Sequence, residues 1–495
     1  MIKYVLSSLI FFTSLFSYAA KVSSKDAYKA MLNLYAYNID GKLLHTGTAF
    51  YIDNNGTAIT SYNTIKKAYL IEVSDYKGRR YKLHRILGAN STTDLVKFNL
   101  SNVSKNDFFS ISTTPTSKGS NLLIVHYTTD KKRTPLEVSI NSQEPFNNYN
   151  YYHISAANDS VNFNCPLIDA EGNIAAIVQQ NVDKNANKAC AIDARFINDL
   201  SINATAAINS DLTALHLPKA LPQDAKDALT YLYIMPTNDS IACTTAYADY
   251  ISACPNKPEG YMQRGTFYAA KNNLELANTN FAIAIEKSNA NDTTSITTDA
   301  IHNSISRIIY NKIMEQGKDS TLSNGWTLLR AEEEAEKAYA IHPYTLYLVQ
   351  RGNCLYAQKK YKQAFDCFKK ACDDKQFVSS ETFFSAARSL ELSQGDAKEV
   401  ITLLDSCIAR IPSQNKARYA QFYFERSQRL VKAKEYRKAV ADYNEYEQLV
   451  GPRNLSDQFY YMRSRAEENA HMYQQALDDL HTAIATANNP ILYQI

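Results

Sequence analysis

A serine or cysteine beside a histidine, with a carboxylate to orient that histidine, is one set of residues that supports covalent acyl-transfer chemistry. The N-terminal half of this sequence contains all three residue types, and their spacing is the first question. The stretch VNFNCPLIDAEGNIAAIV, Val161 to Val178, sets Ser160 three residues before Phe163 and Cys165 directly before Pro166. His45, His84, His126 and His153 are scattered over separate segments with no paired acid in evidence. Each therefore reads as an ordinary surface or packing histidine, and Cys165 as a buried or bridged thiol. No metal-ligand cluster and no phosphate-cradling glycine loop is present, so neither a metal nor a cofactor is expected.

The chain has eight cysteines, spread thinly and without metal-like spacing. Cys165 and Cys190 can lie on neighbouring strands and form a candidate disulfide. Cys243 and Cys254 share a helix, where their separation forbids a bridge. Cys354, Cys367, Cys372 and Cys407 fall at helix positions, and small buried hydrophobes are the default reading.

Short strands must position these residues. Gly47 to Ala68 alternates apolar and polar residues about Asp53-Asn54-Asn55-Gly56, a hairpin whose turn tolerates positive φ. A second strand pair turns near Asp75-Tyr76-Lys77-Gly78. Leu122–Thr128, Tyr152–Ala156 and Asn173–Gln180 add further strands, and ACAIDARFINDL closes the region with a strand leading into a short helix. Many short strands with few helices predict a sandwich or barrel. The stretch 201–225, with Pro218 and Pro222, reads as a linker.

From about residue 226 helix-period patterns take over, and the chain repeats itself. Gly265, Ala277, Phe281 and Ala284 recur at the same offsets as Gly352, Ala364, Phe368 and Ala371. Ala439, Tyr443 and Tyr446, then Ala476, Leu480 and Ala483, continue the pattern; two other copies run into Pro343 and Pro412. Small residues let paired helices approach, a large apolar residue fills the groove, and proline ends the second helix. Asn289–Asp299 and Gly317–Asn324 read as insertions. This pattern resembles the tetratricopeptide repeat family over most of 226–495. The resemblance implies a stacked array with a groove for peptides or protein partners, lined by residues such as Tyr268, Arg351 and Asn353.

The N-terminal motifs carry a second resemblance. Gly47-Thr48-Ala49-Phe50, the turn at Gly56, and Thr60-Ser61-Tyr62-Asn63 are similar to the first hairpin of bacterial trypsin-like proteases. In that family this hairpin ends in the catalytic histidine. Thr93-Asp94-Leu95-Val96 resembles the segment carrying the catalytic aspartate. Val161 to Leu167 lines up with the nucleophile turn G-N-S-G-G-P-L, followed by Asp169-Ala170-Glu171-Gly172, and Ala191-Ile192-Asp193 with the strand behind the substrate pocket. The resemblance implies a trypsin-like double β-barrel over 21–200.

Its triad positions then hold Asn63, Asp94 and Phe163. Asparagine cannot take and return a proton near neutral pH, and phenylalanine has no nucleophilic atom. Asn164, Cys165 and Val161 replace the glycines of the oxyanion-hole turn.

Composition bounds the rest. With 495 residues, 45% apolar and 21% charged, the chain is globular and multidomain. A net charge of +3 without a basic block gives no reason to expect nucleic acid. Lys3, the apolar Tyr4–Phe16 and Ser17-Tyr18-Ala19 read as a cleavable export signal over 1–20, implying a periplasmic or secreted bacterial protein with no membrane span after cleavage.

The expectation is therefore a non-enzymatic, exported pseudoprotease whose tetratricopeptide array binds proteins or peptides. The alternatives are a serine or cysteine endopeptidase with a relocated nucleophile, and a purely structural envelope protein.

Overall fold

A computed structural model describes residues 26–487 except 130–134, 182, 184–185, 292–293, 318–321, 377–378 and 415. The expected export signal lies outside the described residues. The chain divides into two compact units, Met1–Pro255 and Asn256–Ile495.

The first unit contains two closed antiparallel barrels of six strands each. Strands β1 (Met31–Tyr37), β2 (Leu43–Tyr51), β3 (Thr57–Ser61), β4 (Leu70–Ser74), β5 (Arg80–Asn90) and β6 (Leu95–Leu100) close in the order β1-β2-β3-β6-β5-β4. Strands β7 (Asn121–Ile124), β8 (Leu136–Phe146), β9 (Tyr149–Ala157), β10 (Pro166–Ile168), β11 (Ile174–Gln179) and β12 (Lys188–Asp193) close as β10-β11-β12-β9-β8-β7. This confirms the double-barrel expectation.

The apolar run of β11 has a direct cause. Ala176 and Val178 face the core of the second barrel, while Ile174 and Ile177 join a cluster with Phe50, Ile59 and Leu95 between the barrels. A strand buried on both faces loses the alternation of a half-exposed one.

A short helix, α1 (Tyr62–Ile65), follows β3 directly because Ser61 Oγ accepts the Thr64 N–H as its N-cap. Gly47 faces this turn closely: a Cβ there would lie 2.8 Å from Thr64 Cγ2.

The stretch read as a linker is held to the barrel. Ile86 of β5 donates its N–H to the Pro218 carbonyl and accepts the Ala220 N–H, forming a parallel bridge with Lys219. The same stretch contains α2 (Ser210–Thr213), and α3 (Ala225–Ile234) and α4 (Ser240–Ala253) complete the first unit. Arg85 of β5 clasps Asp249 of α4 with two hydrogen bonds of 2.8 and 2.9 Å.

The second unit is helical: α5 (Pro258–Ala270), α6 (Leu274–Lys287), α7 (Thr298–Gln316), α8 (Leu328–Ile341), α9 (Thr345–Ala357), α10 (Tyr361–Cys372), α11 (Ser380–Leu392), α12 (Ala397–Ile408), α13 (Ala420–Lys432), α14 (Tyr436–Val450), α15 (Asp457–Asn469) and α16 (Tyr473–Thr486). Each odd-numbered helix packs on its successor. A Cβ on Gly265 would approach Phe281 within 2.6 Å, and one on Gly352 would approach Phe368 within 2.8 Å.

A polar tie recurs beside these contacts. Arg264 Nε donates to Asn280 at 2.6 Å, Arg426 grips Asp442 with two bonds, and Arg463 grips Asp479 likewise; each pair is sixteen residues apart.

Candidate functional site

A cavity of about 340 Å³ opens where β2, α1, the Asp94 turn, the Ser160–Asn164 turn and the end of β11 converge. It brings together the three triad-like positions Asn63, Asp94 and Phe163, and adds His45, Ser61 and Ser160.

Asp94 adopts φ 52°, a conformation that asparagine and aspartate tolerate better than most residues. Its Oδ2 accepts the Ser61 hydroxyl at 2.7 Å and its Oδ1 the Asn63 N–H at 2.7 Å. Burial pushes the carboxyl pKa up, and the Asn63 and Ser61 hydrogen bonds oppose that shift. Asp94 thus fixes the end of the first hairpin, with Asn63 exposed at the rim.

The second wall is the turn before β10. Asp159 Oδ1 accepts the Val161 N–H at 3.2 Å, and the Phe163 N–H donates to the Ser160 carbonyl at 3.3 Å. The sequence resemblance sets these two amides at the positions of the N–H pair that cradles the oxyanion in the serine-protease arrangement. Here both are turned to acceptors inside the turn. Phe163 is half-buried and packs against the core of the second barrel.

Asn164, at φ 59°, donates its Nδ2 to the Thr48 carbonyl at 2.5 Å and so ties the two barrels together. Its buried Oδ1 has no partner among the described residues. An unsatisfied buried acceptor costs about 1–3 kcal/mol.

Cys165 and Cys190 are not bridged, which corrects the disulfide expectation. Cys165 joins Ala189 and Ala191 in the core of the second barrel. Cys190, one residue out of phase with those alanines, faces the other way, where its Sγ lies 3.5 Å from His153 Nδ1.

His153 Nε2 in turn lies 3.0 Å from Glu144 Oε1, so this histidine does have an acid partner, contrary to the expectation from sequence. Cross-strand register creates the contact, β9 pairing with both β8 and β12, and residue spacing along the chain gives no hint of it. The row Cys190–His153–Glu144 has the residue types of a cysteine nucleophile system. However, the thiol is buried, burial pushes its pKa up, and none of the three residues lines the cavity. His126 Nε2 likewise has a neighbour, Asn162 Oδ1, at 3.0 Å.

The expected groove residues lie on first helices of their pairs. Tyr268 on α5 is half-buried against the core it shares with α6 and α7. Arg351 on α9 reaches back to Glu336 at 3.0 Å and Glu332 at 3.9 Å, and half-buried Asn353 is on the same helix. Arg351 holds the position of the recurring arginine, but the residue sixteen further on is Cys367, and the buried Nε of Arg351 has no acceptor among the described residues. Among the described residues no cluster of metal-binding side chains occurs, and no helix is long and apolar enough to cross a membrane.

No protein-family model and no curated protein matches the chain. Solved structures do. The Rv3671c protease of M. tuberculosis, in its active form, is 13% identical over 35% of this chain and 80% of its own, with a TM-score of 0.30. The serine endoprotease of Yersinia pestis is 16% identical over 36% of this chain and 66% of its own, with a TM-score of 0.31.

The expectation that the chain is not an enzyme is corrected by this comparison. The similar solved structures are serine proteases, one of them in an active form. The strand order gives the architecture: the N-terminal unit contains two closed six-stranded barrels.

Proposed function

We propose that this chain is an exported protein that holds extended polypeptide. The protease-like cleft receives a strand, and the helix pairs, read as tetratricopeptide repeats, hold a protein or peptide partner. The observation that carries this reading is the cavity itself. Its lining is mainly neutral and polar, and Thr46, Thr48, Asn63, Gln179 and Gln180 bring side-chain oxygens able to accept hydrogen bonds to it. A peptide N–H is a donor of the right kind, and strand addition presents such groups at regular intervals.

Fluorescence polarisation of a labelled random-peptide library on the full chain tests this. Saturable binding that weakens at least tenfold in Asn63→Trp, an exposed rim position, is the expected result. Binding indifferent to that substitution removes the cleft from the proposal.

A second reading is peptide hydrolysis with a relocated nucleophile. It is favoured by Ser160 and His45 lining the same cavity as Asp94. The turn would have to rearrange to release the Val161 and Phe163 N–H groups toward a substrate carbonyl. Cleavage of casein or a peptide library, abolished by Ser160→Ala and by His45→Ala but not by Cys165→Ala, supports it. Unaltered cleavage in both variants, or none in the native chain, rejects it.

A further inference from the structure

A second cavity, of about 250 Å³, lies within the first unit between the segment 206–219 and helices α3 and α4. Leu212, Leu215, Tyr231 and Cys243, all buried, form apolar walls. One half-buried lysine, Lys219, stands among them, and His216 and the carboxylate of Asp239 line the same cavity. Its backbone is pinned, because the residues on either side of it are hydrogen-bonded to Ile86 of β5. The side chain therefore enters the cavity from a fixed point.

The Lys219 ammonium is poorly satisfied. Its Nζ donates to the Leu215 carbonyl, and among the described residues it joins no ion pair. An ammonium has three donors, so two remain for solvent or for an occupant of the cavity. Burial pushes the lysine pKa down, and the only charge opposing that shift is Asp239, acting through space. Asp239 commits its Oδ1 to the Ile241 and Ala242 N–H groups at the start of α4.

We propose that this cavity binds a short apolar carboxylate, with the carboxylate on Lys219 Nζ and the hydrocarbon against Leu212, Leu215 and Tyr231. Apolar walls with one under-coordinated cation favour an anion with an apolar tail over a hydrated one such as phosphate. The volume lies below the roughly 300–1,000 Å³ of pockets for drug-sized ligands, which limits the tail to a few carbons. A free short-chain fatty acid and the C-terminal residue of a peptide ending in leucine share this chemistry.

Titration calorimetry on the full chain distinguishes the possibilities. Hexanoate is expected to bind saturably and at least tenfold more tightly than hexanamide, with the preference lost in Lys219→Met and kept in Lys219→Arg. Hexanamide binding as tightly as hexanoate, or no saturable binding by hexanoate or N-acetyl-leucine, overturns the proposal. This comparison uses the unaltered chain and so does not depend on how a variant folds. A leucine-terminated peptide that outcompetes hexanoate and fails when amidated identifies a peptide terminus as the source, and the reverse order identifies a free acid.

Discussion

The cleft between the barrels and the interiors of the helix pairs handle buried polar groups in opposite ways. In the cleft the ties are each particular to their place: Asp94 holds Ser61 and Asn63, Asp159 holds Val161, and Asn164 reaches across to Thr48. In the helix pairs one solution recurs, an arginine on the first helix and an acceptor sixteen residues later on the second. A unique arrangement hides its irregularities, because nothing nearby shows what the regular version would be. A repeated one exposes them, and the missing acceptor at Cys367 is visible only against its three counterparts.

The largest test of this contrast is Asp479→Ala. It removes both hydrogen bonds between Asp479 and Arg463, itself 7% exposed, and leaves that arginine with Glu447 and Asn444 on one side and Glu467 at 4.0 Å. A loss of about 3–5 kcal/mol in denaturant unfolding of the helical unit is expected; a loss below about 1 kcal/mol would mean the ties are ornamental.

Next comes Gly265→Val, whose added carbons must displace Phe281. Overpacking of this kind costs about 1–3 kcal/mol, read as a lowered unfolding midpoint.

Third is the pH dependence of Glu467, where burial, with Asp479 adding to it and Arg463 opposing, pushes the carboxyl pKa up to about 7. A folded pKa above the unfolded value of 4.5 means that the folded state binds the extra proton. Its contribution is therefore complete below pH 4.5 and lost as pH rises through 7. Glu467→Gln should flatten that slope and stabilise the chain at pH 8 by about 2 kcal/mol, seen in thermal melts across pH.

Cys367→Asp restores the missing acceptor to Arg351. A gain of about 1 kcal/mol in the melting transition is expected, and a loss would show that Glu332 and Glu336 already satisfy this arginine. The smallest effect belongs to the cleft. Asn164→Gly removes the bond to Thr48 together with an unpaired oxygen and a left-handed side chain. The net change should stay within about 1 kcal/mol. A larger loss would place the cleft's idiosyncratic contacts on the same footing as the repeated ties.

Features set by side-chain periodicity were legible from sequence. The Asp53–Gly56 turn lies between β2 and β3 as its composition required, and the small-to-aromatic offset found Gly265 against Phe281 and Gly352 against Phe368. The convergence of Asn63, Asp94 and Phe163 on one cavity was also legible, through family-like motifs.

Contacts made by main chain or by register were not. Residues 201–225 have the composition of a linker, yet Pro218 and Ala220 are hydrogen-bonded to β5 through groups that carry no side-chain signature. Nor does the sequence show that Cys190 and His153 stand opposite each other, because a strand's neighbours are chosen by the closure of the barrel. The contacts of Arg351 with Glu332 and Glu336 were hidden for a related reason. An arginine on a first helix reads as groove-facing until the sixteen-residue partner is recognised in the other copies.

The stitch between β5 and residues 218–220 also has a mechanical consequence. Tension applied to the chain at Pro255 would pass along α4 to the Arg85–Asp249 clasp, then to the two main-chain hydrogen bonds at Ile86. Those contacts would have to give way before the pull reached the closing strand of the second barrel. A single proteolytic cut in the exposed run near Ala214 would likewise leave both fragments attached, because the anchor lies on the far side of the cut.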